Sequence, residues 1–297
     1  MNSSKKGILF TIVGGICWGI SGVCGQYLIE TRNVDVKWLV SVRLFLAGLI
    51  MLFMCFFKKS ERQNLLKVWQ DERDVLNLIL YSIFGMLACQ FTYFMAISYS
   101  NAATATILQY TAPAIIMVYT AIVAKKMPIK KDIFCMAIVI IGTFLISTHG
   151  NINSLAISAK ALCWGLISAC TVVLYNVMPV RLMNKYSTIS IVGLGMIVSG
   201  VPMCIINGVW NVSGSFDVFG IIVLGVIVII GTITSFSFYL EGVRLIGASK
   251  ASIFAGSEPL TSAIATAIFM KVAFTGVDIV GLIFILVGVT VLSIKRN

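Results

Sequence analysis

Ten apolar stretches, each close to the length of helix that crosses a bilayer, leave this chain few alternatives to a membrane bundle. Gly7 to Glu30, Trp38 to Phe57, Val75 to Ser98 and Ala102 to Ala124 each supply the ~20 residues needed to cross ~30 Å of hydrocarbon. Six more follow, near Ile133 to Thr148, Ala161 to Met178, Ile189 to Ile206, Val218 to Leu240, Ala251 to Met270 and Val277 to Ile294. The fifth has the shortest apolar core and spans comfortably only if Ile129 and Lys130 join it, with the lysine snorkelling to the interface. With 59% hydrophobic and only 11% charged residues, the chain cannot cover a water-soluble globule with polar groups. The opening MNSSKKG resembles the start of a signal peptide, but the apolar run behind it is long and lacks a small-residue cleavage site, so it reads as a retained first span. The expected fold is an all-α membrane protein with ten transmembrane helices, and function must sit inside the bundle.

A net charge of +11 raises the question of a nucleic-acid partner, and the placement of the basic residues answers it. With the N-terminus inside, 17 of the 22 lysines and arginines fall on the cytoplasmic side, among them Lys58, Lys59, Arg62, Lys67, Lys125 and Lys185. Arg32, Lys37, Lys160 and Lys271 lie outside and Arg43 lies within a span. This is the positive-inside bias, so both termini are expected in the cytoplasm of a multi-pass cell-membrane protein, and no nucleic acid is expected as partner. The eight cysteines all fall within spans, form no CxxC pair, and have one loop histidine, His149, for company. They read as small apolar packing residues, with no metal or other cofactor expected.

Sliding the chain against itself by 146 residues sets Cys17, Trp18, Gly19 and Cys24 on Cys163, Trp164, Gly165 and Cys170. Without a gap, 14 identities follow over the 63 positions from Gly85 to Ser147, including Gly85 on Gly231, Tyr93 on Tyr239, Pro113 on Pro259 and Lys125 on Lys271. The second spans do not align. Five spans per half is an odd number, so the second half enters the membrane from the opposite side. The halves, 1–148 and 149–297, are therefore expected to be inverted five-helix repeats, an arrangement that offers two near-equivalent states, one open to each side.

The first-span ICWGISG, the second-span VRLFLAGLIML, the run YFMAISYSNAATATILQYTAP and the second-half YLEGVRLIGASKASIFAGSEPLTSAI together resemble the drug/metabolite transporter superfamily, and within it the EamA-type ten-span carriers. The resemblance covers nearly the whole chain and makes each half an EamA-like repeat. That family typically ends its fourth and ninth spans with a Gly-Glu pair, where this chain has Lys125 and Lys271, so no role for those glutamates carries over. The resemblance implies a central cavity lined by the first, third, fourth, sixth, eighth and ninth spans. It also implies substrates such as amino acids and related metabolites, often exported.

Ionisable groups at membrane depth are costly unless paired or hydrated, and each one invites a functional reading. Glu258 lies about ten residues into the ninth span, roughly 15 Å at 1.5 Å per residue, near the midplane. Its repeat counterpart is Ala112. Beside it Pro259 removes a backbone hydrogen bond and should loosen the helix around Ala255. The carboxylate binds a substrate ammonium, takes up a proton that drives transport, or hydrogen-bonds a neighbouring helix. Pro113 and Pro259 place two kinks symmetrically, with Gln109, Tyr110 and Ser257 within a turn of them as cavity groups or interhelical contacts. Trp18 and Trp164 are cavity walls or packing partners of nearby glycines, and Gln90, Tyr93 and Tyr239 are further cavity candidates. Arg43 either snorkels or meets a substrate carboxylate, Glu241 and Arg244 read as an interfacial ion pair, and Lys250 reads as an anchor.

The reading is a secondary carrier for a small polar metabolite, with bilayer lipids and protons as further partners. No nucleotide loop of the GxxxxGK[ST] kind is present, and no HExxH or nucleophile-base pair supports an enzyme. A receptor or accessory subunit that moves nothing would share these spans, and flux in vesicles holding only this protein separates the two.

Overall fold

The computed structural model describes residues 3–112, 114, 115, 118, 125, 130–149, 151, 156–246, 251 and 254–293, without the side chains of residues 3, 60, 132, 244, 292 and 293. Every secondary-structure element among them is helical. The helices are α1 (Ser3–Arg32), α2 (Val36–Phe56), α3 (Lys59–Lys67), α4 (Glu72–Tyr99), α5 (Ala102–Gln109) and α6 (Lys130–Thr148) in the first half. The second half has α7 (Ala159–Val177), α8 (Val180–Lys185), α9 (Thr188–Ile206), α10 (218–246), α11 (Ser257–Phe269) and α12 (Gly276–Ser293). Among the described residues six stretches are long and apolar enough to cross a membrane: α1, α2, α4, α7 with α8, α9 and α10. Lys130 does join the fifth apolar helix, as its length required. Pro113, Ile129 and Lys250 lie outside the described residues, as does the Arg244 side chain expected to pair with Glu241.

The helix starts are set by side chains that accept from otherwise orphaned backbone N–H groups. The Asp35 carboxylate accepts from Lys37 N (2.8 Å) and Trp38 N (3.2 Å), and Asn101 accepts from Thr104 N (2.8 Å). Asp71 caps α4 through Arg73 N (2.9 Å) and Asp217 caps α10 through Gly220 N (2.7 Å), at positions 146 residues apart. Thr275 and Asp278 form a reciprocal capping box at α12.

Packing follows the repeat. The second part of α10 lies along α1 as α4 lies along α7, while α2 pairs with α9, α5 with α11 and α6 with α12. The α6–α12 contact shows the exchange at atomic level. A Cβ on Gly142 would fall 2.7 Å from the Gly281 carbonyl oxygen and 2.9 Å from Ile285. One on Gly288, its counterpart, would fall 3.1 Å from the Cys135 carbonyl and 2.7 Å from Val139. Residues 135 and 139 are the counterparts of 281 and 285, so the same small-residue contact is made twice. Lys125 and Lys271 share a left-handed backbone, with φ of 49° and 55°. That region is one where glycine is most at home, and lysine occupies it at both positions.

Gly142→Ala is expected to destabilise the α6–α12 contact by about 1–3 kcal/mol through overpacking. Gly225→Ala, whose Cβ meets nothing within 4 Å, should be neutral or gain up to about 1 kcal/mol of helix propensity. Thermal unfolding of both variants in detergent compares them, and equal shifts would remove the close-contact account.

Candidate functional site

Two helices stop short at equivalent places. α5 ends at Gln109 and gives way to a turn at Tyr110–Thr111; a turn at Ala255–Gly256 precedes α11, which starts at Ser257. Tyr110 and Gly256 are counterparts at the 146-residue spacing. In the second turn Ala255 N donates to Ala251 O and Glu258 N donates to Ala255 O, each at 2.9 Å. Pro259, buried and without an N–H, cannot carry the hydrogen-bond ladder through. Glu258 therefore sits in the first turn of a new helix, not in the middle of a continuous one.

The α11 start is pressed on α1. Ser257 Oγ donates to Ile12 O (3.1 Å), and a Cβ on Gly19 would come 2.8 Å from the Glu258 carbonyl oxygen, so glycine is what lets the two backbones meet. Between Gly15 and Gly19, Trp18 points to α10, with ring centroids 5.0 Å from Tyr239 and 5.1 Å from Phe236. Trp164 meets the Phe91 ring edge-on at 5.9 Å. The tryptophans pack on aromatic rings of the helices that would line the cavity.

Arg43 does not snorkel. Its side chain is 3% exposed; Nε donates to Thr232 Oγ1 (2.7 Å), Nη2 donates to Gly231 O (3.0 Å), and the guanidinium carbon lies 5.2 Å from the Phe94 ring centroid. These acceptors belong to a π-helical segment of α10, Ile229–Thr234, matched in α4 by Tyr81–Leu87. The two segments surround Gly231 and Gly85, which are repeat counterparts. π-Helical turns loosen the usual ladder and recur at functional sites.

The partly buried Glu258 carboxylate is the shared electrostatic neighbour of Arg43, Cys89, Tyr93, Tyr110 and Tyr239. Among the described residues no side chain hydrogen-bonds that carboxylate, and Arg43 makes no direct ion pair with it. Tyr93 shares a hydrogen bond with Thr106 Oγ1 (2.8 Å), whereas Gln109 Nε2 donates to Ser168 Oγ (2.6 Å) and ties α5 to α7. Gln90 is 7% exposed, and its amide has no hydrogen-bond partner among the described residues. Glu258, Ser257 and Pro259 thus stand at the α11 start beside α1, with Trp18 beside Tyr239, while Gln109 and Trp164 belong to the α7 side.

Sequence reasoning overlooked two groups of ion pairs that join the halves. Arg32, ending α1, meets Asp217 at 2.6 Å, and Ser215 N donates to Arg32 O at 3.0 Å in the same corner. At the α4 start the fully buried Asp74 meets Lys185 (2.7 Å), Arg181 (3.2 Å) and Tyr186 Oη (2.9 Å), and Asp71 meets Lys185 at 3.1 Å. Asp71 and Asp217 stand one repeat apart, so the spacing itself carried the signal. His149, just after α6, pairs with Asp278 at the start of α12.

Residues 5–148 and 159–294 match the EamA-like transporter family. YicL of Salmonella typhimurium, an uncharacterized inner membrane transporter, is 38% identical over 301 residues, covering 100% of this chain and 98% of its own. YyaM of Bacillus subtilis, an uncharacterized transporter, is 23% identical, covering 84% of this chain and 82% of its own. A solved crystal structure shares the fold with a TM-score of 0.65 over 97% of this chain and 96% of its own, at 13% identity.

Arg43→Met should cost about 2–4 kcal/mol by stripping charged hydrogen bonds from buried acceptors and a cation from the neighbourhood of Glu258. In a Glu258→Gln background the same change should cost less, and strict additivity in the double-mutant cycle, within about 0.5 kcal/mol, would exclude the coupling. The Lys185 hydrogen bond holds the Asp71 carboxyl below its ordinary range, and the Gly220 N–H, aided by Arg32, does the same for Asp217. Both groups release protons more readily in the folded chain. Their stabilisation is present above the ordinary carboxylate range and is lost as pH falls through the lowered values. Acidification from pH 6 to pH 3 should therefore depress the unfolding temperature less in Asp71→Asn/Asp217→Asn than in the wild type, and equal depression would contradict it.

Proposed function

The chain belongs to the EamA-like transporter family of multi-pass membrane transporters, and on that premise we propose that it is a secondary carrier of a small polar metabolite, an amino acid or related compound, moved out of the cell by alternating access and coupled to protons. The observation that carries this reading is Glu258. It is a carboxylate without a side-chain hydrogen-bond partner among the described residues, at the start of an interrupted helix, with Tyr93, Tyr110 and Tyr239 among its electrostatic neighbours. A carboxylate so placed has affinity for a substrate ammonium or a proton, and interrupted helices are where carriers bind their cargo.

In this reading the chain crosses the cell membrane ten times as two inverted five-helix repeats, 1–148 and 149–297, with both termini in the cytoplasm. One feature supports the inversion. The equivalent aspartates cap α4 and α10 against different partners, Asp71 against the end of the α7–α8 pair and Asp217 against the end of α1. Since α1 and α4 are separated by the α2 crossing, the α1 end and the α4 start belong to opposite faces. Equivalent helices then begin on opposite sides, as inverted repeats require. Arg43 sets the electrostatic balance by giving Glu258 a fixed cation nearby, while Gln90 and Trp18 offer polar and aromatic contact to the cargo. With Ser257, Pro259, Gln109 and Trp164 they form the proposed path, together with Pro113.

The test is purified protein in liposomes, challenged with amino acids, amines, nucleosides and carboxylates with and without a pH gradient. One class should cross in a gradient-dependent way. Glu258→Gln, checked for folding, should slow it by about tenfold or more, equivalent to ~1.4 kcal/mol of lost stabilisation. A folded Glu258→Gln protein with full, gradient-dependent transport would rule out the coupling role, and absence of any flux would favour a receptor.

A further inference from the structure

The connection between α2 and α4 is not a plain loop. It holds the helix α3 and a 3₁₀ turn, Val68–Gln70, and leads from one bilayer-length helix to the next. Leu65 and Val68 are buried against the bundle, and Glu61 accepts a hydrogen bond from Ser190 Oγ (2.8 Å), which fixes the face that α3 turns inward. The outward face then carries Lys59, Arg62 and Lys67, all exposed, with Lys58 just ahead of the helix. Between these charges stand apolar side chains with no protein cover: Phe57 is 75% exposed, Leu66 65% and Trp69 50%. Among the described residues none of the four basic side chains makes an ion pair.

We infer that this surface binds anionic phospholipid, with Lys58, Lys59, Arg62 and Lys67 on headgroup phosphates and Leu66 and Trp69 among the upper acyl carbons. The location follows from the flanking helices: α2 ends at Phe56 and α4 begins at Glu72, so α3 lies where membrane-crossing helices leave the hydrocarbon. A basic helix with an outward leucine, followed by a turn with an exposed tryptophan, is suited to that layer, where the indole bridges water and hydrocarbon. Charge complementarity selects the occupant. A second copy of the chain would set the same four cations against themselves, whereas an anionic headgroup neutralises them. Each basic residue near an anionic bilayer surface strengthens binding about fivefold.

Native mass spectrometry of the full-length protein in detergent, titrated with phosphatidylglycerol or phosphatidylcholine, tests the inference. The wild type should retain phosphatidylglycerol in preference. Lys58→Gln/Lys59→Gln/Arg62→Gln/Lys67→Gln should weaken that lipid at least about tenfold and leave phosphatidylcholine unchanged. Lys37→Gln/Lys160→Gln, with two exposed lysines removed from elsewhere, should behave as wild type. A quadruple variant that unfolds at the wild-type temperature but keeps its phosphatidylglycerol preference overturns the inference, as does a wild type indifferent to headgroup. A dimer that the quadruple variant converts to monomer without any lipid dependence assigns the surface to a second copy. None of these readouts needs transport, so they stand or fall apart from the carrier reading.

Discussion

A backbone amide or carbonyl in hydrocarbon has no water to turn to, so each one must find its partner inside the chain. That requirement makes every described element helical and puts a capping side chain at one helix start after another. It also gives meaning to the places where the helical ladder departs from regularity. The π-helical turns around Gly85 and Gly231 and the interruptions at Tyr110–Thr111 and Ala255–Gly256 are tolerable only because protein groups answer the freed backbone. Gly231 O accepts from both Arg43 and Ser235, and Ala255 O accepts from Glu258 N. The polar cluster around Glu258 and the irregular backbone are one feature, since the irregular turns supply the acceptors that hold its arginine.

The two halves repeat in backbone more faithfully than in chemistry. The interruptions, the π-helical turns, the capping aspartates and the glycine contacts between α6 and α12 all recur at the 146-residue spacing. The polar groups of the candidate site do not: Glu258 stands opposite Ala112 and Gln90 opposite Phe236, and Arg43 lies in the second span, where the repeat does not align. A near-symmetric scaffold can offer two similar arrangements while a single carboxylate and a single guanidinium serve both. One pair of charges to bury also keeps the desolvation cost to that of one site.

Much of this was legible along the chain because the relevant signal is local. Apolar runs of bilayer length announced the spans, the matched Cys-Trp-Gly and proline positions announced the repeat, and Pro259 beside Glu258 announced trouble for a continuous helix. What escaped were groups whose meaning depends on a distant partner. Arg43, a few residues from the start of an apolar run, looks the same whether it snorkels or turns inward. The choice is made by acceptors on Gly231 and Thr232, 188 and 189 residues away. Asp74 likewise reads as an ordinary loop aspartate until Arg181 and Lys185 fold against it.

The sequence by itself therefore determined the solvent, the helical class and the duplication, because hydrophobic length and periodic identity are properties of neighbours in the chain. Only the tertiary structure decided which faces meet, where Arg43 finds its acceptors, and that α3 and the turn after it bury Leu65 and Val68 while leaving the lysines and Trp69 outside. Those outcomes rest on cross-repeat packing between residues more than a hundred positions apart. Apolar pattern specifies that a helix face is buried, but not which partner buries it.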